Sequence, residues 1–83
     1  MSYYRIIKKH IDEMDYYSLL LHGAPGDEFD AESSEISRKI TGNQTETDIA
    51  QIIAEVFNSS FARNDPTDFF TDCARKIYDE LKG

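Results

Sequence analysis

Few side chains in this chain are of the types that carry chemistry, and their spacing limits what they can do. The densest group is Asp27, Glu28, Asp30 and Glu32. Several carboxylate oxygens at close range are what a hard cation requires. Their order does not follow a calcium loop of the EF-hand type, which sets acids at alternate positions around a central glycine and closes with a distal Glu. As a general acid and base, two of them would need a pocket that drives their pKa values apart, and the sequence supplies none. His10 and His22 have neither an i, i+4 partner nor a Cys/His cluster of metal-ligand spacing. His10 falls on the apolar face of a helix and is expected to be a hydrogen-bonded structural residue; His22, beside a Gly-Ala-Pro loop, suits an interface or an anchor. Cys73 stands among Phe69, Phe70 and Ile77, the setting of an inert buried thiol and not of a nucleophile. Gly23-Ala24-Pro25-Gly26 lacks the lysine and following Ser or Thr of a phosphate loop. We therefore expect no catalytic residues, no metal and no cofactor, and a protein that binds rather than one that catalyses.

Charge is the more informative feature. The chain has 83 residues, with 9 Lys+Arg against 16 Asp+Glu, a net charge of −7. That balance excludes the usual nucleic-acid binder, which needs a basic face to displace counterions, and an acidic chain is repelled by anionic lipid. With 40% apolar residues and 12% aromatic ones it is also too hydrophobic to stay unfolded by self-repulsion. The acids are not evenly spread. Residues 11–37 contain eight of them (Asp12, Glu13, Asp15, Asp27, Glu28, Asp30, Glu32 and Glu35) and no Lys or Arg, so the remainder of the chain is close to neutral. Tyr16 and Tyr17 lie inside this stretch. One reading is a solvated acidic surface that confers solubility and caps a helix. The other is a negative patch that steers a basic protein partner, with the tyrosines as contact anchors; its binding residues would be Asp12, Asp15, Tyr16, Tyr17, Asp27, Glu28, Asp30 and Glu32.

The elements that must position these groups are helical, since no stretch alternates apolar and polar residues long enough to argue for a strand. Residues 2–14 place Tyr3, Ile7, His10, Ile11 and Met14 on one face of an amphipathic helix. The apolar run Tyr16-Tyr17-Ser18-Leu19-Leu20-Leu21 predicts a short extra helical turn before the Gly23-Ala24-Pro25-Gly26 loop. A second helix is expected near Asp30, capped by that residue, with a thin stripe of Ile36 and Ile40 helped by Phe29 and Ala31, and an end at Thr41-Gly42-Asn43 after Arg38 and Lys39. Thr45 and Asp48 resemble a capping box for a third helix carrying Ile49, Ile52, Ile53, Val56, Phe57 and Phe61. Asp65 as N-cap and Pro66 at the first helical position predict the last helix, with Phe69, Phe70, Cys73, Ala74, Ile77, Tyr78 and Leu81 on its buried face. The expectation is a single all-helical domain over residues 1–83, a compact four-helix bundle.

A single cysteine leaves no internal disulfide framework, and there is no apolar run of the length a signal segment or a membrane span needs, so a cytoplasmic protein with no membrane partner is expected.

Met14-Asp15, then an apolar run, then Gly23-Ala24-Pro25-Gly26-Asp27-Glu28-Phe29-Asp30-Ala31-Glu32 resembles a family of short bacterial proteins of unassigned function. Its hallmark reads W-D-P, an apolar run, and G-A-P-x-D-E-Y-D-x-E. The later helix ending Val56-Phe57-Asn58-Ser59-Ser60-Phe61 is similar as well. The chain departs from the pattern at Met14, where the family favours Trp, and at Tyr16, where it favours Pro. The resemblance implies a small all-helical fold and no established enzymatic activity. In size, acidity and helical build the chain is also similar to immunity proteins that neutralise bacterial nuclease toxins, both the colicin type and those of contact-dependent growth inhibition. This second similarity is one of class and not of motif. Nuclease toxins are basic because their substrate is polyanionic, and an acidic partner gains fast association from the opposite field. The expectation is thus a non-enzymatic acidic immunity protein, a monomer or weak homodimer, that binds a basic toxin domain. The alternative is a small regulatory or assembly protein, in the extreme a homodimer, that works through an apolar helix face.

Overall fold

The computed structural model describes residues 3–14 and 29–83. Among them are four helices and no strand: α1 (Tyr4–Met14), α2 (Asp30–Lys39), α3 (Glu46–Phe61) and α4 (Thr71–Lys82), the last preceded by a 3-10 turn at Thr67–Phe70. The all-helical four-helix expectation therefore holds. The extra turn expected over residues 16–21 and the Gly23-Ala24-Pro25-Gly26 loop lie outside the described residues, as does His22.

The helices are arranged as a ring. α1 packs against α2 and α4, and α3 against α2 and α4, so α1 and α3 face each other across the core. The apolar stripes explain this order. α1 contributes Ile7 and Ile11, both fully buried, with Tyr3 and Met14 partly buried at the two ends of the same face. α3 contributes Ile49, Ala50, Ile53, Ala54, Val56 and Phe57, with Ile52 and Phe61 half-buried beside them. Phe70, Cys73, Ala74 and Ile77 form the buried face of α4. Phe29, Phe57, Phe61 and Phe70 join the three sides: Phe57 lies 5.8 Å from Phe29, 5.8 Å from Phe61 and 5.7 Å from Phe70, centroid to centroid. Each such large side chain removed from water contributes about 1.5–3 kcal/mol, which is why so few residues suffice to hold a small ring together.

Two local devices set the limits of α3. The Thr45 backbone N–H donates to Asp48 Oδ2 and the Asp48 N–H donates to Thr45 Oγ1, each at 3.1 Å, the reciprocal capping box expected from the sequence. At the other end Ala62 turns left-handed, φ 53°, and its N–H donates to the Asn58 carbonyl.

Four local expectations are corrected. Asp30 does not cap α2: it is the first helical residue, and Phe29 occupies the cap position without a side-chain hydrogen bond. The Asp30 carboxylate is drawn instead to a lysine on α1, described below. Ala31 is exposed, and the fully buried Ser33 takes the place expected of it, because Phe29, Ser33, Ile36 and Ile40 are the positions that follow one face at intervals of three and four. Asp65 and Pro66 do not start α4. The Asn58 side chain holds both backbone polar groups of Asp65, donating from Nδ2 to its carbonyl at 3.0 Å and accepting its N–H at Oδ1 at 2.9 Å. That clamp keeps Asp65 in the loop, and Pro66 remains extended (ψ 157°), so the chain turns only at the following 3-10 segment. Finally, Phe69 is not part of the α4 core: the 3-10 geometry puts its neighbour Phe70 inside and leaves Phe69 44% exposed, edge-on to Phe70.

Candidate functional site

The site begins with the junction of α1 and α2. Lys8 stands in the second turn of α1, one helical turn before Asp12, and the packing of α1 on α2 brings the first residue of α2 to the same place. Lys8 Nζ is 3.0 Å from Asp12 Oδ2 and is ion-paired on its other side with Asp30 Oδ1. Side-chain exposures of 27% for Lys8, 31% for Asp12 and 46% for Asp30 make this a half-buried cluster and not a solvated pair. The Asp30 carboxylate is the main reason the Lys8 ammonium is held well above its ordinary range; burial opposes that shift, and Asp12 reinforces it. Lys8 thus stays charged at any physiological pH.

Of the eight predicted binding residues, Asp12, Asp30 and Glu32 fall among the described residues; Asp15, Tyr16, Tyr17, Asp27 and Glu28 lie outside them. Asp12 and Asp30 meet on one lysine. Glu32 is in the same first turn of α2 and is half-buried; the ion pairs of Lys8 are to Asp12 and Asp30, and the Glu32 Oε1 is buried without a hydrogen-bond partner, as is Asp12 Oδ1. Lys8 itself is not among the residues that the sequence singles out. Its i, i+4 spacing to Asp12 is the signal that could have found half of the cluster. The pairing with Asp30 joins residues far apart in sequence, and no local pattern announces it.

A second polar cluster lies on the α1 side that meets α4. His10 is nearly buried, as expected for a structural histidine, with Nδ1 3.1 Å from Glu13 Oε1 and Nε2 3.0 Å from Glu80 Oε1. Lys9 Nζ donates to the same Glu80 oxygen at 2.7 Å. Those two contacts, the Lys9 bond foremost, pull the Glu80 carboxyl below its ordinary range. Cys73 is buried and free, and its Sγ is 3.5 Å from the His10 carbonyl oxygen. Desolvation pushes the thiol up to about 12, the inert state the sequence suggested.

No family model, characterised protein or solved structure matches this chain. Its function must therefore be read from its own groups. Among the described residues no three His, Cys, Asp or Glu side chains are grouped so as to hold a metal ion, and no helix is long and apolar enough to cross a membrane. The nucleophile-like residue, Cys73, is protonated and inaccessible, and His10, the histidine among the described residues, has both ring nitrogens within hydrogen-bond distance of carboxylates. What the two clusters do chemically is hold helices at fixed positions and set the charge that surrounds them.

Proposed function

We propose that the chain is a non-enzymatic acidic binding protein, an immunity protein that binds and neutralises a basic bacterial toxin domain of the nuclease type. The observation that carries this reading is the segregation of charge: eight acids and no Lys or Arg over residues 11–37 in a chain that is otherwise near neutral. Asp12 and Asp30, which both belong to that stretch, are fixed side by side on Lys8, which supports a local negative field at the α1–α2 junction. Lys8 offsets one unit of that charge and leaves the stretch strongly negative. A basic nuclease surface is the complementary partner, and oppositely charged surfaces gain chiefly in association rate. The resemblance of Gly23 to Glu32 to short helical bacterial proteins, and the similarity of build to immunity proteins of contact-dependent growth inhibition, accord with a bacterial cytoplasmic role.

The test is stopped-flow association of the purified chain with the basic toxin domain encoded beside it, at low and high salt. Replacing Glu32 and Glu35 by Lys should slow association about tenfold at low salt, flatten its salt dependence and leave the helical circular dichroism unchanged. Unchanged association and full protection of cells from the toxin by that variant would overturn the reading.

A second reading, a regulatory or assembly protein that pairs through an apolar face, draws on Phe69, the exposed large hydrophobic residue among those described. A stable interface needs about 800 Å² per partner, and one phenylalanine beside Phe70 supplies a small part of that. Light scattering that shows mass rising with concentration, indifferent to salt, would favour it over neutralisation.

A further inference from the structure

His10 is placed where only one of its charge states satisfies its surroundings. Its side chain is 10% exposed, and each ring nitrogen lies within hydrogen-bond distance of a carboxylate oxygen, Glu13 on its own helix and Glu80 on α4. A neutral imidazole carries one N–H and one lone pair; opposite two carboxylates, one of its nitrogens would face an acceptor with an acceptor. The imidazolium donates to both. We propose that His10 is a proton-operated latch: protonated, it ties α1 to α4 through Glu80 while neutralising Glu13, and loss of the proton releases one of the two contacts and loosens α1.

The surroundings from each packed element agree. From α1, Lys9 shares the Glu80 oxygen and keeps that carboxylate ionised, so the acceptor on Nε2 is a charged one. From α4, Glu80 is the direct partner; Cys73 is a neutral thiol that contacts only the His10 carbonyl, and Lys76 stands near Cys73. From α2 and α3, no described charged side chain is hydrogen-bonded or ion-paired to the ring; Lys8 and Asp30 form their own cluster at the α1–α2 junction. Where the neutral ring gives up Glu80, the charged link left between α1 and α4 is the more exposed Lys9–Glu80 pair, the kind of contact that contributes little in water. Glu13 belongs to the acidic stretch, so the same proton also changes the charge that stretch presents. The latch stands on geometry and does not depend on the toxin reading.

The experiment reads the ring directly. Long-range proton–nitrogen spectra of nitrogen-15 labelled protein distinguish an imidazolium, with two similar nitrogen shifts, from a neutral tautomer, with two widely separated ones. The spectra are read at pH about 5.5 and at pH about 8 beside hydrogen exchange: where the ring is doubly protonated the α1 amides should be about tenfold better protected than where it is neutral, the scale of a lost charge-assisted hydrogen bond. His10→Gln should abolish that pH dependence. If His10→Gln fails to fold, Glu13→Gln serves, because the exposed carboxamide can offer either an acceptor or a donor to the ring and should flatten the pH dependence while keeping the histidine. A single neutral tautomer at the lower pH, or α1 protection with the same pH dependence in the variant as in the parent, would overturn the latch.

Discussion

Lys8 of α1 is ion-paired with Asp30, the first residue of α2, and holds Asp12 on its other side. One cation therefore does two jobs: it joins two consecutive helices and separates two carboxylates that would repel each other. Lys8→Met removes both effects at once. Exposed ion pairs contribute about 0.2–1 kcal/mol each, and these are only half exposed, so the substitution should cost roughly 1–2 kcal/mol in urea unfolding. Adding Asp12→Asn should restore part of that loss, since the acids no longer repel. Strictly additive losses in the double variant would mean that Lys8 acts through its alkyl stem alone.

The capping box at the start of α3 isolates a purely local contribution. Thr45 and Asp48 satisfy each other's backbone donors, and neither side chain is needed for the core. Thr45→Ala should cost about 1 kcal/mol, and Thr45→Ser should cost much less because the hydroxyl is retained. Equal losses in the two variants would point to the threonine methyl and not to the cap.

How far these features could be read in advance depended on their range. The capping box needs only residues 45 and 48, and the stripe from Ile49 to Phe61 needs only a helical period, so both were legible. Asp65-Pro66 was misread as a helix start because the standard signal was present while the group that overrides it, the Asn58 side chain, is on the preceding helix. Phe69 and Phe70 look equivalent in sequence, and a short 3-10 turn separates them into an exposed ring and a buried one. In the candidate site the acidic run was plain, yet Lys8 and the pairing of His10 with Glu80 depend on how α1 meets α2 and α4, which no spacing rule encodes.

Ser33 is fully buried on α2 and its hydroxyl has no hydrogen-bond partner. A buried hydroxyl left unpaired costs the free energy of its lost hydration, while its Cβ still packs. Ser33→Ala should therefore stabilise the protein by about 1 kcal/mol, a rise of about 4–8 °C in Tm for a chain of this size. A fall in Tm would show that the hydroxyl has a bound-water partner that the protein needs.

Two positions with left-handed backbone should respond in opposite ways to opposite substitutions. Ala62, at φ 53°, carries a Cβ where that conformation disfavours one, so Ala62→Gly should gain about 0.5–1 kcal/mol. Gly42 sits at φ 90°, and a Cβ there would lie 2.9 Å from the Tyr3 hydroxyl. Gly42→Ala should destabilise through both strain and displacement of Tyr3, and thermal unfolding of the two variants checks both signs.

Cys73 supplies the pH prediction with a defined sign. Burial raises its thiol from 9.0 to about 12, so above pH 9 the unfolded chain releases a proton that the folded chain keeps. The folded state then binds more protons than the unfolded one, and stability must fall as pH rises from about 9 toward about 12. Cys73→Ala removes this linkage and should flatten that part of the stability profile, at the cost of a small cavity. The same burial predicts that a thiol reagent labels the native protein only through opening, far more slowly than it labels the unfolded chain at the same pH. Rapid labelling of the folded protein at neutral pH would contradict both the burial and the raised pKa.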